Sequence, residues 1–146
     1  MSYTKKIMHN ERSLDKIKLE IELQSYVSSK YDFCPKIINH IHHDTYTEII
    51  MEDIGNDCIA NTISDDPDDI PENIWKQIRE IIKILFYDEA IEYVDVTPYN
   101  FIEKNNKVYI IDFGDAYWGN EDGIIISWFL EDFLLNDHNY FNPDFN

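Results

Sequence analysis

Basic side chains are scarce in this sequence, and their scarcity limits the kinds of ligand that it can bind. Lys and Arg together number 12 against 29 Asp and Glu, which gives the 146 residues a formal net charge of -17 at pH 7. A chain this acidic is repelled by nucleic-acid backbones and by anionic membranes, so direct binding to either is disfavoured. A basic protein partner or a bound cation is easier to accommodate, although we expect most of the carboxylates to form a solvated surface.

Cysteine and long apolar segments are also scarce. Cys34 and Cys58 are the only two cysteines and form no C-x-x-C pair, so neither a disulfide framework nor a cysteine zinc site is predicted. Two buried free thiols suit a reducing, cytoplasmic location. No apolar segment follows residues 1–6, so no signal peptide is predicted, and the longest mainly apolar stretch, residues 124–130, is too short to cross a bilayer.

Glycine is the third scarce residue. The chain has four glycines, and none precedes Gly55, so the N-terminal third has no glycine-rich phosphate-binding loop. What the chain does have is 44% apolar and 14% aromatic residues. That composition is sufficient for a hydrophobic core and argues against wholesale disorder, and the length predicts one domain.

Hydrophobic periodicity predicts a chain of mixed helices and strands. The predicted strands are residues 3–8, 36–41, 46–52 and 108–111, and the predicted helices are residues 13–28, 71–90 and 124–135. Pro71 suits a first-turn position in its helix, because its missing N–H would be unpaired there. The acidic segment 64–72 predicts an exposed loop. The aromatic tail, residues 136–146, has no clear period and either docks on a partner or folds back on its own domain.

Three histidines lie close together at the end of one predicted strand. His40, His42 and His43 match no zinc-binding spacing, and no cysteine lies at ligand distance along the sequence. We therefore interpret this segment as a polar hairpin turn between the strands at 36–41 and 46–52.

A group of acidic and amide residues follows the long predicted helix. Asp95 and Asn100 are five residues apart, and Asp112 begins a D-F-G sequence twelve residues after Asn100, at the end of a predicted strand. Phosphoryl transfer uses a carboxylate that orients the attacking hydroxyl, together with an amide and a second carboxylate that hold Mg²⁺ against the phosphates of ATP. Each motif alone is common by chance, but both at this separation are much more specific. The alternative is that Asp95 and Asp112 are ordinary turn or capping residues.

Residues 93–114 resemble the catalytic and metal-binding loops of the protein-kinase-like superfamily. The resemblance is closest to small atypical kinases, those of the RIO type and above all the small kinase of the KEOPS tRNA-modifying complex. That family reads H-G-D-L-T-T-S-N where this chain reads Y-V-D-V-T-P-Y-N, and it has E-D-K before a helix where residues 121–123 read E-D-G. The resemblance implies an α+β, two-lobe fold in a single domain. Residues 1–55 would form a truncated N-lobe and hinge without a Gly-rich loop, and residues 56–146 a reduced, mainly helical C-lobe.

The resemblance implies roles for the polar residues of the catalytic segment. Asp95 would be the catalytic base or the residue that orients the acceptor hydroxyl, and Asn100 and Asp112 would be Mg²⁺ ligands. The sequence departs from the family where Tyr93 replaces the usual His and Val94 replaces the usual Arg or Gly. ATP and Mg²⁺ are thus the implied cofactors.

The resemblance also implies an adenine-binding hinge. Residues 48–55 are similar to the fifth strand and hinge of the family. Met51 would be the gatekeeper beside the base, and the backbones of Glu52 and Ile54 would hydrogen-bond the adenine.

A lysine of the first strand would pair with a glutamate of the first helix. The spacing leaves both choices open, Lys5 or Lys6 and Glu20 or Glu22, and we favour Lys6 with Glu20. The alternative is that these four residues form a surface charge pattern.

Three functions are compatible with this sequence. The first is an ATP- and Mg²⁺-dependent phosphotransferase or ATPase of the atypical serine/threonine kinase type, because all three active-site polar groups are present. The second is a pseudokinase-like scaffold in a protein complex or virion, because the glycine loop and the usual His are missing. The third is an acidic interaction protein that binds a basic partner. Because a truncated N-lobe would expose a sheet edge, we expect a protein partner or a second copy to cover it, and no direct contact with nucleic acid or membrane.

Overall fold

Three small antiparallel sheets and four α-helices form the described part of the chain, which in this computed structural model comprises residues 1–119, 122, 125 and 127–145. The strands are β1 (Ser2–Met8), β2 (Ile37–His42), β3 (Tyr46–Glu52), β4 (Ile91–Glu92), β5 (Phe101–Lys104), β6 (Lys107–Ile110) and β7 (Tyr117–Trp118). The helices are α1 (Leu14–Lys30), α2 (Ile59–Thr62), α3 (Glu72–Lys83) and α4 (Trp128–Asn136). The predicted mixture of helices and strands is confirmed.

The first sheet has the strand order β1-β3-β2, with β3 in the centre. β1 pairs with β3 in antiparallel register from Ser2 opposite Glu52 to Met8 opposite Tyr46. Its core side packs with α1 in a small hydrophobic cluster whose buried members are Ile7, Ile17, Ile21, Ile49 and Met51. Successive side chains of a strand alternate between the two faces, so this packing also fixes which β1 side chains face the rest of the molecule.

Helix α1 connects this small cluster to a larger one. Ser13 is its N-cap, and its hydroxyl accepts a hydrogen bond from the Lys16 N–H at 3.3 Å. Ile17 belongs to the small cluster, whereas Leu23 and Val27, farther along the helix, belong to the larger one. Because one helix contributes to both clusters, they do not by themselves fix a lobe boundary, and the division at residue 55 stays a prediction.

The larger cluster lies among α3, α4 and the strands that follow α3. Its largest fully buried side chains are Trp75, Tyr93, Phe101, Phe113, Phe129 and Phe133. The Trp75 indole donates a hydrogen bond to the Pro67 carbonyl at 3.1 Å, so its polar group is satisfied. The C-terminal tail folds back on this cluster, with the rings of Phe141 and Trp75 4.7 Å apart and those of Tyr140 and Phe129 5.0 Å apart. Of the two alternatives for the tail, the structure therefore supports folding back.

The hairpin β5–β6 positions the residues on either side of it. Phe101 pairs with Ile110 and Lys104 with Lys107. The two residues between the strands, Asn105 and Asn106, both have positive φ angles of 54° and 64°. That is the conformation of a two-residue hairpin turn, which asparagine tolerates better than other non-glycine residues.

Some element boundaries differ from the prediction. The α-helical part of the predicted helix 71–90 ends at Lys83, and the chain continues as a wider π-helical segment, Ile84–Asp88. Residues 72–88 contain no Gly or Pro, so the sequence gives no sign of this change. Pro71 is the N-cap of α3 and so lies one position before the predicted one. Helix α4 begins at Trp128, where the Ser127 hydroxyl caps it by accepting from the Leu130 N–H. Residues 124 and 126 of the predicted helix 124–135 lie outside the described residues. The pair β4–β7 was not predicted, because strands of two residues have no periodicity.

Within the described residues, every helix is too short or too polar to span a bilayer. Both cysteines are free and buried, as their apolar sequence surroundings predicted.

Candidate active site

A cavity of about 350 Å³ lies between the first sheet and the β5–β6 hairpin. Its volume is within the range of small-molecule sites. The side chains in its wall include Tyr3, Lys5, Gln24, Met51, Glu52, Ile54, Cys58, Tyr99, Ile102 and Asp112. Four of the predicted site residues, Met51, Glu52, Ile54 and Asp112, thus line one cavity. Asp95, Asn100, Glu20 and Lys6 are not in its wall.

An ion-pair chain at this cavity joins the sheet, α1 and the segment after β6. The Lys5 Nζ lies 2.6 Å from Glu20 Oε2 and 3.3 Å from Asp112 Oδ1. The choice of Glu20 over Glu22 agrees with this pairing, because the Glu22 carboxylate instead accepts a hydrogen bond from the Trp118 indole at 3.0 Å.

Our preference for Lys6 as the partner of Glu20 is wrong. Lys5 shares a strand face with the buried Ile7, whereas Lys6 lies on the opposite face, because side chains alternate along β1. The Lys6 ammonium is exposed and sits over the Tyr46 ring, 4.3 Å from its centroid. Spacing along the sequence cannot distinguish two adjacent lysines, whereas the packing of β1 on α1 does.

Burial and neighbouring charges shift the pKa values of Lys5 and Glu20 in opposite directions. Burial lowers the pKa of the Lys5 ammonium, but the charges of Asp112 and Glu20 outweigh burial and hold the pKa above its usual value. Burial raises the pKa of Glu20 above its usual value, against the opposing effect of Lys5. Glu20 is 1% exposed, and its second oxygen, Oε1, has no hydrogen-bond partner among the described residues. Lys5 is therefore the group that stabilises a carboxylate which water does not reach.

The β5–β6 register brings Asn100 and Asp112 together. Beyond the last paired residues of the hairpin, the Ile111 N–H donates to the Asn100 carbonyl at 2.9 Å, so Ile111 lies opposite Asn100 and Asp112 is the next residue along the chain. Asp112 has a φ of 60°, and its Oδ1 accepts a hydrogen bond from the Gly114 N–H at 3.0 Å. A positive φ at a non-glycine residue is unfavourable and is typical of sites where function requires the backbone conformation.

The Asn100 side chain also holds the backbone at Asp95. Its amide donates a hydrogen bond to the Asp95 backbone carbonyl at 2.9 Å. Burial raises the pKa of the Asp95 carboxyl to about 6, and the charges of Asp112 and Asp115 add to the effect. A hydrogen bond from Asn100 and the charge of Arg12 oppose it. A carboxylate with this pKa can accept a proton near neutral pH more readily than an ordinary aspartate.

Two residues that the sequence did not assign to the site hold the D-F-G segment. The fully buried Tyr93 hydroxyl lies 2.6 Å from the Ile111 carbonyl oxygen and 2.7 Å from that of Asp112, and donates to this pair. The sequence marked Tyr93 only as a departure from the family. Arg12, in the loop between β1 and α1, donates to the Gly114 carbonyl, and a Cβ at position 114 would collide with its guanidinium. No local motif signals Arg12, since its contact is 102 residues away along the chain.

The predicted hinge lies along the cavity wall after β3. The Glu52 N–H already donates to the Lys36 carbonyl at 2.9 Å, and the Glu52 carboxylate accepts from the Lys36 N–H at 2.8 Å. The Ile54 carbonyl accepts from the Lys104 ammonium at 2.9 Å. Across the described residues nothing accepts a hydrogen bond from the Ile54 N–H. Ile54 is therefore the hinge residue with a backbone donor available to a ligand.

Asn100 and Asp112 provide one amide oxygen and one carboxylate for a cation. The described ranges contain no cluster of three or more His, Cys, Asp or Glu side chains with metal-binding geometry. Two protein ligands fit Mg²⁺, which usually retains several waters and is shared with phosphate oxygens. The E-D-G resemblance falls largely on residues 121 and 123, which lie outside the described residues.

The family model of the RIO domain matches residues 2–132 of the chain. The chain belongs to the RIO-domain family. RIO domains are atypical protein kinases, so the predicted kinase-like superfamily is confirmed and the chain is kinase-like in type. The closer likeness to the KEOPS kinase stays a prediction. A search of curated protein sequences found no match.

The first prediction concerns the ion pair of this RIO domain. Lys5→Met removes the cation beside a buried carboxylate, so we expect the free energy of unfolding to fall by about 2 kcal/mol. Lys6→Met removes a cation of the same type from the exposed face of β1 and serves as the matched control. Urea denaturation of both variants measures the difference. Equal losses of stability in the two variants would contradict the assignment of Lys5.

The second prediction concerns the charge of Asp95. Its pKa of about 6 lies above the usual value of about 4, so ionisation opposes folding. The stability that the protonated form provides is fully present below about pH 4 and is lost as the pH rises through about 6. Asp95→Asn cannot ionise, so it should be more stable than the wild type by about 1–2 kcal/mol at pH 8, after allowance for solvent screening.

The gain in the free energy of unfolding of Asp95→Asn over the wild type should be clearly smaller at pH 5 than at pH 8. Urea denaturation at both pH values measures it, and Asp44→Asn, in the exposed β2–β3 turn, controls for the loss of one negative charge. A gain of the same size at pH 5 and pH 8 would show that the Asp95 carboxyl is not the cause.

Proposed function

We propose that this RIO domain is an ATP- and Mg²⁺-dependent phosphotransferase or ATPase, with Asp95 as the catalytic base. One observation carries the proposal above all others. A single lysine, Lys5, contacts both a buried helix glutamate and the aspartate of the D-F-G segment, at the wall of a cavity of about 350 Å³. That cation is placed where the phosphates of a bound nucleotide would need neutralisation.

Different residues of the chain would have different roles in the reaction. Lys5 would hold the phosphates, and Asn100 and Asp112 would hold Mg²⁺, which neutralises phosphate charge when bound. Asp95 would orient the acceptor hydroxyl, or a water molecule, and receive its proton at the carboxylate. The elevated pKa of Asp95 supports this role, because a base is most effective when its pKa is near the working pH.

The hinge residues would bind the base of the nucleotide. Met51 is 6% exposed and lines the cavity together with Gln24, whose amide nitrogen lies 3.6 Å from the Met51 sulfur. The Ile54 N–H supplies a donor to adenine. Ile102, on β5, contributes an apolar side chain to the same wall, which suits a planar base.

The third prediction tests nucleotide binding. A ligand that binds only the folded state raises the unfolding midpoint by mass action. We expect ATP with Mg²⁺ to raise the thermal midpoint of the wild type by several degrees, and Asp112→Ala to lose the Mg²⁺-dependent part of the rise. Asp65→Ala, in the exposed loop before α3, is the matched control and should keep the full rise.

Two outcomes would contradict the proposal. One is a well-folded wild type whose midpoint does not change with ATP and Mg²⁺. The other is an Asp112→Ala variant that binds and hydrolyses ATP as the wild type does. Either result would favour the scaffold function.

The scaffold function has one observation in its favour, the outer edge of β1. β1 pairs with β3 on one side, and no described strand lies on its other side. An edge strand offers unpaired backbone groups to another chain. We propose that a protein partner or a second copy of this chain covers this edge.

The fourth prediction follows from that edge. Sedimentation velocity at micromolar concentration should show a dimer, or a monomer that forms a complex with a partner recovered by copurification. Thr4→Pro removes an N–H from the strand and should weaken the association, since proline cannot donate a hydrogen bond. A persistent monomer with no recovered partner would contradict this proposal and leave the catalytic one unaffected.

A further inference from the structure

The C-terminal tail, residues 137–145, lies beyond the family match, which ends at residue 132, and it contacts the loop that carries Asp95. The contact is made by Asn142, a polar residue that is 3% exposed. Its backbone N–H donates to the Val96 carbonyl at 2.9 Å, and its side-chain amide donates to the Val94 carbonyl at 2.8 Å. One buried asparagine therefore holds the residue before Asp95 and the residue after it.

The backbone around Asp95 forms a tight turn. The Val96 N–H donates to the Val94 carbonyl at 2.9 Å, which closes a three-residue turn with Asp95 at its centre. The Asp95 carbonyl accepts from the Asn100 side chain at 2.9 Å. The three successive carbonyls of residues 94–96 are thus all bonded, two of them by Asn142. Because buried carbonyls without partners are costly, these donors help to determine the turn.

Asn142 is itself held in place by local bonds and by the tail. Its Oδ1 accepts from the Asp144 N–H at 3.1 Å, which fixes the orientation of the amide and points Nδ2 at Val94. Asp144 accepts in turn from the Trp128 indole at 3.0 Å, which ties the tail to the start of α4. On the other side of Asn142, the Phe141 ring packs against Trp75. The tail therefore presents Asn142 from a fixed position.

We infer that Asn142 is a positioning residue that fixes the backbone turn at Asp95 and so aims the Asp95 carboxylate at the acceptor. The inference rests on the proposed function for its effect on rate, since Asn142 is not in the wall of the nucleotide cavity and acts through Asp95. A misplacement of a reacting group by about 1 Å can reduce a rate about a hundredfold. Nucleotide binding should not depend on Asn142.

Asn142→Asp is the sharpest variant, because it has nearly the same shape, keeps the acceptor for Asp144 and loses the donor to Val94. Asn142→Ser removes the same donor without adding charge, and it is the variant to measure if Asn142→Asp does not fold. Asn139→Ala is the matched control in the same tail. Asn139 is exposed and bonds to Arg79 and Glu72, away from the catalytic loop.

Three properties are measured in the full chain: the rate of ATP hydrolysis, the affinity for nucleotide and the amide hydrogen exchange of Val96. The kcat of ATP hydrolysis should fall about ten- to a hundredfold in both Asn142 variants. The KM for ATP and the Kd for ADP with Mg²⁺ should stay within about twofold of the wild type. Amide hydrogen exchange at Val96 should accelerate about tenfold or more, because the turn is no longer held. Asn139→Ala should match the wild type in all three.

The possible failures can be distinguished. A wild type that neither binds nor hydrolyses ATP overturns the proposed function. In that case amide hydrogen exchange at Val96 alone decides the inference about Asn142. Faster exchange in the Asn142 variants supports it, and unchanged exchange overturns it. If the wild type is active, an unchanged kcat in the variants overturns the inference. A fall in kcat together with an equal loss of nucleotide affinity also overturns it, because Asn142 would then have only a general structural role.

Discussion

The ion pair between Lys5 and Glu20 is the interaction on which the rest of the candidate site depends. It joins the strand and the helix that form the small hydrophobic cluster and, through Asp112, connects them to the D-F-G segment, whose Phe113 belongs to the larger cluster. A carboxylate as buried as Glu20 is stable only with a cation beside it. The packing of Ile7 against α1 fixes which face of β1 lies toward the rest of the molecule, and that orientation places Lys5 beside Glu20 and at the cavity wall.

Cations are few in a chain with a net charge of -17, and several of them are used at buried or crowded carboxylates. Arg12 reaches the D-F-G segment and lies 3.9 Å from Asp115. Lys30, at the end of α1, lies 2.9 Å from the buried Glu89, which also accepts a hydrogen bond from Tyr26 at 2.7 Å. These contacts attach both ends of α1 to the larger cluster. The helix that carries Glu20 is therefore held near both of its ends by contacts with distant segments of the chain.

The catalytic loop is held in the same way, by side chains that come from elsewhere in the chain. Tyr93 fixes the backbone of the D-F-G segment, and Asn100 and Asn142 bond the carbonyls around Asp95. All three side chains are buried, and the carbonyls that they bond would otherwise be buried polar groups without these partners.

The sequence by itself predicted the longer helices and strands and the candidate site, because both depend on residues that are close together in the chain. Alternation predicted β3, helical periodicity predicted α1 and α3, and the spacing of Asp95, Asn100 and Asp112 predicted a phosphoryl-transfer site in a fold that the RIO match confirms in type. Only the tertiary structure decided that Lys5 and not Lys6 pairs with Glu20, and that Asn142 reaches the catalytic loop. Those contacts join residues far apart in sequence, and they follow from which face of a strand is buried and where a tail packs, which no local pattern encodes.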